Sequence, residues 1–228
     1  MLTIKSKNLR TALKILIPFV IIPILAIFGS TVFDEKRHIF VSLSVALFSV
    51  VLFITGFEKK QTGTRRQVLV SIMIALSVVG RFIPFFKPVT AITVITAIYL
   101  GGEAGFLVGS FSALLSNFYF GQGPWTAFQM LAFGLIGLFA GFLREPLKKS
   151  KTALLLYGVL SGIAFSFIMD VWTVLWYNGG FNLSLYIAAL TTALPHTVLY
   201  AISNFVFLLL LSRPFGEKLN RIKIKYGV

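Results

Sequence analysis

The chain has 228 residues, 57% of them hydrophobic and 12% charged, with 21 Lys and Arg against 7 Asp and Glu. With a mean hydropathy of +0.90, this composition excludes an ordinary water-soluble domain and points to a polytopic membrane protein. The formal charge of +14 does not indicate a nucleic-acid partner, because the basic residues cluster between apolar runs, and the lack of cysteine excludes disulfides, thiolate catalysis and zinc–thiolate sites.

Apolar runs fall at 13–30, 38–56, 67–83, 89–100, 104–119, 125–143, 153–177 and 185–212. A helix needs about 20 residues to cross the hydrocarbon, and most of these runs qualify. No alternating strand pattern recurs, so the expected fold class is all-α, a polytopic membrane helix bundle rather than a barrel. The first run follows basic residues but is long, contains Pro18 and Pro23 and lacks a small-x-small cleavage site. It reads as a retained helix in preference to a signal peptide.

The charged segment Glu58–Arg66 reads as a linker. It divides the chain into an N-terminal transmembrane hairpin, residues 1–57, and a six-helix core with a basic tail, residues 66–228. The run 89–100 is short and ends at Gly101-Gly102, either a true chain reversal or a bend within a longer helix. Eight crossings with a cytoplasmic N-terminus leave only Lys36, Arg37, Arg81 and Lys87 outside and place the other 17 basic residues of 21 inside. That bias favours eight crossings and two cytoplasmic termini.

Small residues recur every four positions on several runs: Gly101, Gly105, Gly109 and Ala113; Gly137 and Gly141; Gly158, Gly162 and Ser166. Such faces let helices approach closely in lipid. Ser71 and Ala75 form a weaker small face, suited either to inward packing or to docking of another membrane protein.

Polar residues single out one end of the bundle. Asp170 is the only acidic residue inside an apolar run, a costly placement that demands a cavity or a partner. His196 follows Pro195 on the last run, at the same end. The two either bond to lock the bundle or line a solute cavity. Arg81 and Lys87 flank the aromatic Phe82–Phe86 stretch that contains Phe85, which reads as an interfacial anchor or as a lid over a pocket. The loop Ser116–Met130 carries Asn117, Gln122, Trp125 and Gln129 among glycines, and Trp176 and Tyr177 precede Asn178-Gly179-Gly180. Aromatics beside glycines and side-chain amides serve an interfacial belt, or a pocket for a flat polar molecule. Nucleophile-elbow, zincin and Walker A motifs are absent from the sequence.

The stretches Val79-Gly80-Arg81-Phe82, Gly101-Gly102-Glu103-Ala104-Gly105-Phe106-Leu107-Val108-Gly109 and, above all, Ser116 to Met130 continuing to Gly141 resemble the substrate-binding S component of an energy-coupling factor (ECF) vitamin transporter, across about 66–212. The resemblance implies a six-helix subunit of a bacterial plasma-membrane importer. Such a subunit captures a vitamin at the outer face and has no catalytic activity or intrinsic cofactor. Its implied partners are a transmembrane coupling subunit and two cytoplasmic ATPases that use the ATP. It also places Ser71 and Ala75 where the family meets the coupling subunit. The branch most resembled suggests cobalamin. Arg81, Phe85, Asn117, Gln122, Trp125, Gln129, Asp170, Trp176, Tyr177 and His196 are the expected substrate-binding residues. Two other readings stand beside this one: an intramembrane enzyme using Asp170 and His196, and a secondary transporter acting alone.

Overall fold

Lipid offers a backbone N–H or C=O no partner, so each apolar run closes into a helix. In the computed structural model, residues 4, 6–32, 38–55 and 60–226 are described, and among them the chain is entirely helical and loop, with no strand. Lys5, Lys36, Arg37 and the Glu58-Lys59 start of the expected linker lie outside those residues. The remainder of that linker is helix rather than loop.

Helix α1 (Lys7–Leu16) is capped by Ser6, whose hydroxyl accepts from the Leu9 N–H at 3.4 Å. It runs through a π-helical turn (Ile17–Ile21) into α2 (Ile22–Val32). Pro18 and Pro23 each withhold an N–H from the ladder; the widened turn contains Pro18 and ends two residues before Pro23. The chain returns as α3 (His38–Thr55), with Val41 packed on Gly29. The first run is therefore a helix built into the bundle. It touches α7 and α9 as well as α3, and Phe19 meets Phe139 edge-on at 5.8 Å.

Helix α4 (Lys60–Gly80) leads through the loop 81–88 to α5 (Val89–Leu100). The 12 residues of α5 extend about 18 Å, well short of the roughly 30 Å hydrocarbon layer. Yet every residue of α5 except Tyr99 is buried, and it packs against α4, α6, α7, α9 and α10. A helix wrapped in protein does not have to match the lipid thickness, so the shortest run forms the centre of the bundle. Gly101 adopts φ 99°, open to glycine at little cost. The chain reverses there in one residue, which excludes a bend within a continuous helix, and Ala97 faces Gly105 across the turn.

Helices α6 (Gly102–Phe120) and α7 (Thr126–Phe142) are antiparallel and almost touch backbone to backbone. A Cβ on Gly109 would lie 2.4 Å from the Phe133 carbonyl oxygen, one on Gly137 2.4 Å from the Gly105 backbone, and one on Gly141 2.2 Å from the Gly102 Cα. The small-residue faces of α6 and α7 are thus one shared interface.

Short α8 (Arg144–Lys149) precedes α9 (Lys151–Asn178), which is capped by the Ser150 hydroxyl. The last helix, α10 (Leu183–Tyr226), is 44 residues long and runs through Pro195 and Pro214, so the expected basic tail continues the transmembrane helix. It packs antiparallel on α9, with Gly162 against Ala201 and Ser166 Oγ bonded to Thr197 Oγ1 at 2.5 Å. The segment Lys7–Gly29 and helices α3, α9 and α10 are long and apolar enough to cross a membrane.

The bundle has two distinct ends. The basic end holds Gly101 and α8. There the Lys14 ammonium lies 2.5 Å from one Glu103 oxygen and Arg66 lies 3.8 Å from the other, while Arg66 also donates to the Leu100 carbonyl at 2.6 Å. This cluster ties the N-terminal hairpin to α4 and to the α5–α6 turn. The aromatic end holds the loops 81–88, 121–125 and 179–182. Replacing Gly137 with leucine is expected to overpack the α6–α7 contact by about 1–3 kcal/mol or more. Thermal unfolding in detergent should show a lowered midpoint for Gly137→Leu and none for Gly180→Ala, whose added Cβ would meet nothing within 4 Å.

Candidate ligand-binding site

Polar side chains at the aromatic end must find partners within the protein, and most of them find one another. Arg81 follows the last turn of α4, and its Nη1 donates to Ser116 Oγ at 2.5 Å and to Asn117 Oδ1 at 2.8 Å. Asn117 is only 1% exposed, and its Nδ2 donates to Thr126 Oγ1 at 3.0 Å and to Gln129 Oε1 at 2.8 Å. Gln122 donates to the Leu114 carbonyl at 2.9 Å and accepts from the Thr126 hydroxyl at 3.0 Å. Arg81, Asn117, Gln122 and Gln129 therefore form one network that pins the 121–125 loop to α6 and α7. Asn117 is fully engaged within it, so its role is to hold Arg81.

The Arg81 guanidinium keeps unused capacity. Its Cζ lies 5.3 Å from the Phe120 ring centre, and no carboxylate pairs with it among the described residues. Burial lowers its pKa from the usual arginine value, and the nearby Tyr200 hydroxyl opposes that shift. Arginine remains charged through such a perturbation. The surrounding loop is stitched down: Lys87 Nζ donates to the carbonyls of Arg81 at 2.6 Å and Ile83 at 2.9 Å, and the Lys87 N–H donates to Ser203 Oγ at 2.8 Å.

A cavity of about 560 Å³ opens between α9 and α10. Asp170, Ser166 and Met169 line it from α9, and His196, Thr192 and Tyr200 from α10. Asp170 and His196 thus share one space, but among the described residues no hydrogen bond or ion pair joins them. Asp170 Oδ2 is buried without a hydrogen-bond partner. Two rings of the cavity wall, Phe165 and Tyr200, stack at 5.0 Å, and Phe133 backs Phe165 from α7 at 4.3 Å, both pairs within 28° of parallel.

Trp125 folds back over Gly123, where a Cβ would sit 2.3 Å from the indole. It meets Trp172 edge-on at 5.9 Å, and Trp172 stacks with Trp176 at 6.3 Å. The Trp172 indole N–H is buried without an acceptor. Phe85 and Tyr177 stand clear of both network and cavity at 76% and 78% exposed. Ser116, Thr126, Phe165, Ser166, Thr192 and Tyr200 join the site without being among the binding residues expected from the sequence. Helical periodicity carried the signal for three of them, since Ser166 lies four residues from Asp170, and Thr192 and Tyr200 four residues either side of His196.

This arrangement suits a flat polar organic molecule: rings to stack on, hydroxyls, an imidazole, an unpartnered carboxylate oxygen and a cation nearby. The described residues contain no group of three or more His, Cys, Asp and Glu placed to hold a metal ion. Away from the site, Ser71 and Ala75 are both exposed along a groove of about 660 Å³ whose walls include Phe53 of α3 and Phe111 of α6.

The family model for the ECF-type riboflavin transporter, S component, matches residues 61–220. No curated protein and no solved structure matches the chain.

Asn117→Ala removes one acceptor from Arg81 and a donor from Thr126 and Gln129, an expected cost of about 1–3 kcal/mol. Thermal unfolding should show this loss, whereas Phe85→Ala should unfold at the unchanged temperature.

Proposed function

From its membership of the ECF-type riboflavin transporter S-component family, we propose that the chain captures a vitamin at the outer face of the plasma membrane and delivers it inward through a coupling subunit driven by two ATPases. Members of this family are substrate-binding transport subunits rather than enzymes. The aromatic end is the outer one in this reading, because the basic residues concentrate at the opposite end and both termini then lie in the cytoplasm.

The observation that carries the binding role is the cavity between α9 and α10, with Asp170 and His196 on facing helices and the stacked Phe165 and Tyr200 rings in its wall. A carboxylate oxygen buried without a donor is costly, and a ligand N–H or O–H offsets that cost. His196 and the Ser166 and Thr192 hydroxyls supply further polar contacts. Arg81, held by Ser116 and Asn117, presents its remaining N–H groups to a carbonyl or anionic group. Trp125 and Trp176, gathered on Trp172, form an aromatic rim.

A flavin fits this description best. The volume of about 560 Å³ lies inside the roughly 300–1,000 Å³ range of pockets for drug-sized ligands, and the ring stack matches a planar tricycle. Cobalamin, expected from the branch resemblance, is the second reading; its corrin needs the outer loops to part. The groove at Ser71 and Ala75 receives the coupling subunit, because small exposed residues allow a partner helix to approach closely. The N-terminal hairpin contributes α3 as one wall of that groove.

Riboflavin is expected to quench the tryptophan fluorescence of the purified chain, with Asp170→Asn and Arg81→Ala each weakening binding by roughly tenfold or more. Quenching by cobalamin alone would transfer the assignment to a corrinoid. In vesicles, uptake should require the coupling subunit, the ATPases and ATP; uptake by the chain alone would replace this reading with a secondary transporter. Ala75→Leu should abolish co-purification with the coupling subunit while leaving ligand binding intact.

A further inference from the structure

The basic end has a cavity of its own. It measures about 580 Å³ and sits where α5, α8, α9 and α10 converge. Its upper wall is apolar, built from Ile95, Ile98, Leu154 and Leu209, and its rim is cationic, with Lys148, Lys149, Lys151 and Arg213. The back wall is rigid: Tyr99 packs so closely on α10 that a Cβ on Gly216 would fall 2.4 Å from its hydroxyl oxygen. The Lys148 ammonium lies over the Tyr99 ring at 4.9 Å.

Positive charge there is only partly balanced. Arg213 pairs with Glu217 at 3.1 Å, and Glu145 pairs with Arg144 at 3.3 Å. Among the described residues Lys148, Lys149 and Lys151 meet no carboxylate at ion-pair distance. Desolvation, followed by Lys223, lowers Lys148 from the usual lysine value, with Glu145 opposing the shift. The apolar wall belongs to helices that continue toward the bundle centre, while the lysines sit at the helix ends. That order, hydrocarbon above and cations below, complements one molecule with acyl chains and an anionic phosphodiester.

We propose that the cavity between α5, α8, α9 and α10 binds one anionic phospholipid, its phosphodiester held by Lys148, Lys149 and Lys151 and its acyl chains laid along the exposed Leu209 and Leu210. The site is separate from the ligand cavity at the aromatic end and does not depend on which vitamin is carried. Continuous helical structure through Tyr226 gives the lipid a structural task, since it brings the cations of α8 and the end of α10 together at one surface.

Native mass spectrometry of the full chain in nonionic detergent, with phosphatidylglycerol, phosphatidylethanolamine or inorganic phosphate added, tests the proposal. Phosphatidylglycerol should be retained in preference and raise the thermal midpoint, with the zwitterionic lipid and phosphate doing neither. Lys148→Gln/Lys149→Gln, at two exposed positions whose loss does not threaten folding, should reduce retention by roughly tenfold or more. Lys7→Gln/Arg10→Gln removes the same charge elsewhere and should retain the lipid. Equal retention of both lipids, a matching effect of phosphate alone, or equal losses in the two double variants would overturn the proposal. The same holds if the lipid is displaced from neither variant.

Discussion

The bundle depends on how closely α6 and α7 approach each other. Between helices in lipid there is no hydrophobic gain from contact, because the tails are as apolar as the side chains they would replace. What remains is dispersion over a close surface, and that requires small residues in register. Gly102 against Gly141, Gly105 against Gly137 and Gly109 against the Phe133 carbonyl supply it. With those two helices drawn together, Ser110 Oγ reaches the Met130 carbonyl at 2.9 Å and Asn117 reaches Thr126 and Gln129. The α6–α7 contact therefore sets the position of the residue that braces Arg81.

Polarity is distributed unevenly around that contact, and the distribution divides the labour of the two ends. At the aromatic end the amide side chains saturate one another, while the charged groups Arg81 and Asp170 keep bonding capacity. A network that is fully satisfied internally is rigid, and it serves here as a mount. Of the two charged groups, Asp170 lines the α9–α10 cavity and Arg81 sits on the network that holds the 121–125 loop. At the basic end the ion cluster of Lys14, Glu103 and Arg66 has a different job. It joins three chain segments at the point where Gly101 turns the backbone.

The N-terminal hairpin lies largely outside the matched region, 61–220, yet it is integrated with the bundle. Lys14 provides the shorter ion pair to Glu103, the Arg66 guanidinium lies 5.3 Å from the Phe53 ring centre, and Phe19 packs on Phe139. These contacts hold α3 on α6 and α7, across the groove from Ser71 and Ala75 of α4, where Val50 and Phe53 form part of its wall.

Helix existence was legible from apolar run length, since lipid leaves the backbone no alternative, but boundaries at the charged flanks were not, because α4 begins at Lys60 inside the expected linker and α10 continues to Tyr226 through the expected tail. The glycine faces were legible too, because a four-residue spacing places side chains on one side of a helix. Asp170 and His196 were conspicuous because a charge or an imidazole inside an apolar run is costly wherever it points. The sequence did not disclose that α5 is central, because a short run looks the same whether lipid or protein surrounds it. Nor did it separate Asn117, spent on bracing Arg81, from Asp170, whose Oδ2 has no partner. Residue type and spacing specify what a side chain is able to bond. Only the three-dimensional packing decides which partners come within reach, because those partners lie up to 116 positions away in the chain.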